Sequence, residues 1–306
     1  MLFLLSGLTV LCVASDNAPR RQLSLSFGVH SAANRKKQED RYSSSCIKSD
    51  TPNLFVICDG HYGDKVAEEV SKTLPNYFAE FLAVSQTKEQ AFRQAFKKAE
   101  ETPIEATGGT TVVAGYFGRK NVHIAWVGDS RAVGKTFATR DHTLARNDEW
   151  VRVKEARGVI FRLTNSLQEI GPWRINGLVP TRTIKDTPEK EGSNIQFPIR
   201  ENIFYQLESD KTKHHTLTID FLPGQVIADP EYIKVGLKEN DLFIFATDGL
   251  WDVLCNEDAL RLVERLMQEK ESMDDVAKGL VDEAIKCGSM DNITAVVVSL
   301  FSKFAK

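Results

Sequence analysis

The sequence predicts an α+β fold in a single domain, and three features of the chain carry that reading. Strand-like apolar runs come in groups, 110–117 with 122–127 and 132–137, rather than alternating one by one with helices. Helical stretches come in neighbouring pairs, 65–84 with 88–101 and 260–270 with 274–287. No internal repeat, coiled-coil heptad or linker divides the 306 residues. Grouped strands and grouped helices argue for segregated layers, where regular alternation would argue for a parallel sheet.

Taken in order, residues 2–14 are apolar, end in the small residues Ala14 and Ser15, and run into Asp16-Asn17. Thirteen residues are too few to span a bilayer, so no stable membrane insertion is expected. They resemble the core of a secretory signal peptide, although no Lys or Arg precedes them, and 1–15 is read as that signal. A polar segment, 16–22, follows. Residues 23–30 alternate well enough for a strand, and 31–41 read as a charged loop. The run Leu54-Phe55-Val56-Ile57 is a short buried strand that stops at Asp59-Gly60. The helical spacing of 65–84 is interrupted at Pro75, which predicts a break there. Residues 110–117 and 122–127 make a hairpin through 118–121, and Gly128-Asp129-Ser130-Arg131 turns into the strand 132–137. A helix over 147–157 stops at Gly158. From 161 to 225 the periodicity fades and Pro172, Pro180, Pro188, Pro198 and Pro223 interrupt it, as in a surface excursion shaping a site. Its Lys211-to-His215 run reads as a solvated loop rather than a metal site. A second apolar run, 241–247, delivers another Asp-Gly pair, Asp248-Gly249, and 293–300 closes the domain as a strand. The domain body is 23–301.

Composition narrows the function. With 39 basic against 42 acidic residues and a net charge of −3, the chain has no electrostatic footprint for nucleic acid. A monomer is the expected state. The five cysteines, Cys12, Cys46, Cys58, Cys255 and Cys287, have no paired rhythm, so this is not a disulfide scaffold. An export address thus sits on a body built like an intracellular protein. The one glycosylation sequon, Asn292-Ile293-Thr294, falls at the start of a buried strand and is not expected to be used.

Carboxylates mark the strand ends: Glu39, Asp40, Asp59, Asp129, Asp248 and Asp291. A carboxylate delivered by a buried strand, next to a glycine that lets another backbone approach, can hold a hard cation. All-oxygen ligation suits Mg²⁺ or Mn²⁺ rather than zinc. The bland alternative is that these acids cap turns and form surface ion pairs, and spacing does not decide between the two.

The order of the motifs does. Arg35-Lys36-Lys37-Gln38-Glu39-Asp40, Phe55-Val56-Ile57-Cys58-Asp59-Gly60-His61 and Gly108-Gly109-Thr110-Thr111 are followed by Val127-Gly128-Asp129-Ser130-Arg131 and Asp141-His142. Then come Ala246-Thr247-Asp248-Gly249-Leu250-Trp251-Asp252-Val253 and Ser289-Met290-Asp291-Asn292. In this order the chain resembles the metal-dependent protein Ser/Thr phosphatases of type 2C across about 23–300. The resemblance implies a four-layer α/β/β/α sandwich of two mainly antiparallel sheets flanked by helix pairs, with a dinuclear metal site at one end. It implies that Asp59 bridges two Mg²⁺ or Mn²⁺ ions, with the Gly60 carbonyl on one and Asp248 and Asp291 on the other. Glu39 and Asp40 hold site waters in this scheme, and Asp129 with Asp248 contributes to a weaker third site. Arg35 matches the arginine that grips the substrate phosphate, and His61 the general acid that protonates the leaving alkoxide. The implied reaction is in-line hydrolysis of phosphoserine and phosphothreonine in phosphoprotein substrates by a metal-bridging hydroxide. Consistent with that, the chain carries no Asp-x-Asp-x-Thr nucleophile motif.

The chain departs from the family pattern at Thr143-Leu144, where Lys-Pro is usual, at Lys185, where Gly is usual, and at Pro180. Residues 187–225 are also longer than in many relatives. These changes adjoin the family's substrate flap and imply altered substrate choice. Two other functions stay open on sequence: a pseudophosphatase used as a binding module, and a secreted nuclease or small-molecule phosphomonoesterase. The expected destination is the secretory pathway, with release into another cell as protozoan parasites do with effectors; cytoplasm or nucleus is the alternative.

Overall fold

A computed structural model of the protein describes residues 21–50, 53–106, 108–164, 169–186, 194–196, 204–209, 213–214, 218–220, 222 and 224–304. The expected signal segment 1–15, most of 16–22, and much of 187–221 lie outside the described residues. The first half of the chain gives β1 (Arg21–Ala32), β2 (Asp40–Ser45), β3 (Leu54–His61), α1 (Lys65–Val84), α2 (Lys88–Glu101), β4 (Gly109–Phe117), β5 (Asn121–Val127), β6 (Arg131–Gly134) and β7 (Phe137–Ala138). Next come α3 (Asn147–Glu155), β8 (Ile160–Thr164), β9 (Glu169–Ile175), β10 (Asn194–Gln196), β11 (Phe204–Leu207), β12 (Lys213–His214) and β13 (Thr218–Asp220). The chain closes with β14 (Glu231–Gly236), β15 (Leu242–Ala246), α4 (Asp248–Trp251), α5 (Asn256–Glu269), α6 (Met273–Lys286) and β16 (Ile293–Phe304).

The apolar runs 54–57 and 242–246 are unbroken because each strand is covered on both faces. In β3, Leu54, Val56 and Cys58 face α1 and α2, while Phe55 and Ile57 face the opposite sheet. In β15, Ile244 and Ala246 face α5 and α6, while Phe243 and Phe245 face inward. Two five-stranded sheets result, ordered β1-β16-β15-β6-β7 and β14-β5-β4-β3-β2. Every pairing within them is antiparallel. The four layers are therefore α1/α2, sheet, sheet and α4–α6, as the family resemblance implied.

Gly115 of β4 shows how closely the sheets approach. A Cβ there would stand 2.5 Å from the Phe245 ring of the facing sheet.

Three elements differ from the sequence reading. Helix α1 runs through Pro75 without a break. Leu74, Pro75 and Phe78 are all buried, and Phe78 stacks on Phe92 of α2 at 4.1 Å. That packing offsets a helix-interior proline penalty of about 3 kcal/mol. The strand expected over 132–137 is split into β6 and β7 around a turn. The excursion 161–225 carries structure of its own: β12-β11-β8-β9 form a four-stranded sheet, and β10 pairs with β13. Lys213 and His214 make β12, and the remainder of the Lys211-to-His215 run lies outside the described residues.

Replacing Gly115 with Ala is expected to overpack the sandwich and cost about 2 kcal/mol, read as a lower urea midpoint at an unchanged slope.

Candidate active site

Both Asp-Gly pairs arrive at the same end of the sandwich. Asp59 is the last carboxylate of β3, and the β2–β3 ladder sets Asp40 directly opposite it. Asp248 follows β15, Asp291 precedes β16, and Asp129 follows β5 across a Gly128 turn with φ of 94°. A cleft of about 780 Å³ opens here, lined by Arg35, Glu39, Asp59, Gly60, His61, Asp129, Asp248 and Asp291. The structure thus brings eight of the nine expected residues to one surface. Asp40 lies just beneath, 3% exposed, where its Oδ2 accepts from Thr247 Oγ1 at 3.1 Å. Gly60 is buried where a Cβ would meet the Glu39 carbonyl oxygen at 2.8 Å, so only glycine lets the two loops touch.

The electrostatics are those of unneutralised acids. Burial pushes the Asp59 carboxyl well above the usual carboxylate range, and Asp248, Asp40, Asp129 and Asp291 reinforce the shift. Burial likewise carries Asp248 to about 7, with Asp252 and Asp291 adding repulsion. It carries Asp40 to about 6, against hydrogen bonds from Thr294 and Thr247 that favour the anion. Asp129 is raised by burial and by Asp248 and Asp141. Among the described residues, the Oδ1 atoms of Asp40 and Asp248 are buried with no hydrogen-bond partner. Orphaned carboxylate oxygens around an acidic centre are what hard divalent cations satisfy, so the donor set fits Mg²⁺ or Mn²⁺. Among the described residues, no group of three or more His, Cys, Asp or Glu closes into a ready-made ion cage. A cation held here would keep much of its own water, as Mg²⁺ does.

Arg35 is exposed on the loop before β2, and its Nη2 reaches Asp291 Oδ2 at 2.6 Å. Asn292 clamps that loop: its Oδ1 accepts from Arg35 N at 3.2 Å, and its Nδ2 donates to Lys37 O at 2.8 Å. Asn292 is 3% exposed with both ends of its amide engaged, so the sequon offers no accessible acceptor nitrogen.

Four residues at the site were given no role from sequence, although Asp141 and Asp252 stood inside matched motifs. Asp186 accepts the hydrogen bond of His61 Nε2 at 2.5 Å and of Thr183 Oγ1 at 2.6 Å, fixing the imidazole. Gly108-Gly109 was the available signal. A Cβ on Gly109 would lie 2.3 Å from Asp186 Oδ2, and one on Gly108 would lie 2.1 Å from the His61 carbonyl oxygen. Arg174, at the end of β9, lines the cleft with a buried Nε that lacks a hydrogen-bond partner among the described residues. Asp141 and Asp252 line the same cleft, and Arg131 grips Asp141 through Nε and Nη2 at 2.8 and 2.5 Å.

Behind the cleft wall, Glu149 of α3 is 1% exposed and anchors the segment that carries Asp186. It accepts from Arg182 Nε at 3.0 Å, Thr181 Oγ1 at 2.6 Å and Arg152 Nη2 at 2.8 Å. Burial alone would raise its carboxyl, yet the bonds from Arg182, Thr181 and Arg152 outweigh it and hold the group down at about 2.

Comparison with known proteins agrees with this geometry. Residues 23–293 match the family described as Protein phosphatase 2C. The chain is 32% identical over 313 residues to "Probable protein phosphatase 2C 69" of Arabidopsis thaliana, covering 96% of this chain and 75% of that one. In fold it is similar to the serine-threonine phosphatase 2C of Toxoplasma gondii, with a TM-score of 0.65, 19% identity, and coverage of 92% of this chain and 98% of the other. It is also similar to the catalytic domain of the phosphatase PstP in complex with 2 manganese ions, with a TM-score of 0.50, 18% identity, and coverage of 91% and 99%.

The raised carboxyls set a pH dependence for the cation-free protein. Asp40 and Asp248 bind protons more tightly folded than unfolded, so the stabilisation is complete below about pH 4 and is lost as pH rises through about 6 to 7. In EDTA the melting temperature should therefore fall between about pH 5 and pH 8, and Mn²⁺ should restore it at the upper end. A pH-independent melting temperature in EDTA would contradict this reading of the cluster.

Proposed function

Because the chain belongs to the protein phosphatase 2C family, we propose that this cleft is its catalytic centre, with Asp59, Gly60, Asp248 and Asp291 holding two Mg²⁺ or Mn²⁺ ions. The chain is a metal-dependent protein serine/threonine phosphatase. The observation that carries the residue assignment is the pair of buried, orphaned oxygens on Asp40 and Asp248, flanking an Asp59 whose carboxyl four other acids repel. Glu39 and Asp40 hold waters of the site. A third, weaker cation site belongs to Asp129 and Asp248, with Asp252 adding charge that faces both. Bound there, the cations supply positive charge for phosphate oxygens and acidity for a coordinated water.

The chain's own residues do the rest. Arg35 turns from Asp291 to the incoming phosphate, for which its planar fork is geometrically suited. Asp186 occupies His61 Nε2, which leaves Nδ1 as the nitrogen that can pass a proton to the departing alkoxide. Glu149, through Arg182 and Thr181, keeps Asp186 and the cleft wall in place. The pseudophosphatase reading is not favoured, because every expected acid is present and gathered at the cleft. A net charge of −3 disfavours a nuclease.

Substrate choice is part of the same proposal. Three of the departures noted in sequence meet at one wall of the cleft: Thr143 bridges Pro180, and Leu144 packs in a small core with Leu178 and Ile175. Lys185 adopts a φ of 78°, a conformation natural to glycine. We further infer that the protein acts as a monomer and enters the secretory pathway for release into another cell. Support for export is the 2–14 apolar run with its small-residue boundary. A fluorescent fusion is expected in secretory compartments or the medium; retention in the producing cell's cytosol would refute it.

The deciding experiment is hydrolysis of a phosphothreonine peptide with Mn²⁺ and then with EDTA, using the purified chain. Turnover should depend on the metal and vanish in Asp59→Ala. Arg35→Ala should raise KM roughly tenfold or more, the worth of a charge-assisted bidentate contact. Metal-dependent turnover at full rate in Asp59→Ala would overturn the assignment.

A further inference from the structure

Tyr62 follows His61 directly and holds a φ of 58°, the left-handed region that β-carbon-bearing residues avoid. Gly108 lies alongside, where an added Cβ would come within 3.0 Å of the Tyr62 Cβ, so the glycine is what makes space for this side chain. The fold receives little in return from the side chain. Tyr62 is 59% exposed, and the charged groups that act on its phenol are Asp186 and Arg174. Its ring stands edge-on to His61 with centroids 5.7 Å apart, at the mouth of the cleft. A strained, exposed aromatic beside the reacting centre is placed for something that enters the cleft.

Part of the cleft lining is apolar. Pro172, Trp173 and Val179 line the same cleft as Tyr62, with Arg174 beside them. Trp173 is fixed by Arg162 stacked over its ring at 4.4 Å and by Trp150 edge-on at 5.7 Å. The acidic residues and Arg35 line the same cleft, so apolar surface adjoins the charged site.

We propose that Tyr62 and the Pro172–Trp173–Val179 wall form an apolar subsite for the side chain next to the phosphorylated residue. Preferred substrates are then phosphopeptides carrying an aromatic or large aliphatic neighbour. This rests on the phosphatase reading above. It adds a specificity-determining residue outside the metal-binding set. A side chain leaving water for this half-open site should favour the apolar peptide by about tenfold in kcat/KM.

The test uses the whole chain with Mn²⁺ and phosphothreonine peptides that differ only in Phe or Ala beside the phosphothreonine, on either side. Wild type should prefer Phe on one side by about tenfold, carried by KM. Tyr62→Gly should bring that ratio close to one, and Tyr62→Phe should keep it. Positioning of His61 would instead lower kcat on both peptides alike and leave the ratio unchanged, which overturns the subsite. An equal kcat/KM for the two peptides in wild type also overturns it, while leaving the phosphatase reading intact. Failure to hydrolyse any peptide removes the phosphatase reading and the subsite with it. The melting temperature of Tyr62→Gly should hold or rise, because glycine adopts this φ without strain. A fall in melting temperature with an unchanged ratio would assign the ring to the fold alone.

Discussion

Mutual repulsion among buried carboxylates is the constraint on which the rest of this molecule depends. Asp59 feels Asp248, Asp40, Asp129 and Asp291 at once, and all are delivered by strands that cannot retreat. Asp40 and Asp59 face each other across the β2–β3 ladder, while Asp248 and Asp291 flank β15 and β16, which pair from Leu242–Ser299 to Ala246–Ala295. The cluster therefore needs two sheets, held face to face, whose ends open at one place. The inter-sheet core of Phe55, Phe117, Phe243 and Phe245 provides that rigidity. Cations bound by those acids would relieve the repulsion, so metal affinity and fold stability draw on the same side chains.

How much of this the sequence disclosed follows from burial. Strands buried on both faces read as unbroken apolar runs, so β3 and β15 were legible together with the aspartates they end in. The two edge strands of the β3 sheet, β2 and β14, were not. β2 reads Asp-Arg-Tyr-Ser-Ser-Ser, with only Asp40 fully buried, and its polarity resembles a loop. β14, at the other edge of that sheet, carries no run either. Pro75 misled because a local backbone rule was overridden by packing around Phe78. Each site residue named from motif order falls at the cleft or directly beneath it, yet Asp186 stayed hidden. Its partnership with His61 spans 125 positions in the chain and leaves no periodic trace.

The polar supports outside the acidic cluster serve geometry. Asn292 ties the Arg35–Lys37 loop to the start of β16, so the backbone that carries Arg35 is held against the strand end that carries Asp291. Glu149 does the same for the opposite wall, where two arginines and a threonine saturate a fully buried carboxylate. Such a network is worth little as a source of net stability, because desolvation consumes most of its Coulomb energy. Its value is that it admits one arrangement, and the segment bearing Asp186 inherits it.

Strain lies on both sides of the His61–Asp186 bond. Tyr62 follows one partner with a φ of 58°, and Lys185 precedes the other with a φ of 78°. Each non-glycine residue in this region costs on the order of 1 kcal/mol, and glycine would carry either φ without it. At Lys185 the conformation is secured by the Ile184–Thr110 bridge and by Glu100 Oε2, which accepts from Lys185 N at 2.7 Å. At Tyr62 the absence of a Cβ on Gly108 leaves the space its side chain occupies. Two strained residues bracketing one short hydrogen bond leave the imidazole little freedom to turn. A chain selected for stability alone would place glycine at both positions; this one keeps side chains there, on either side of the bond that orients His61.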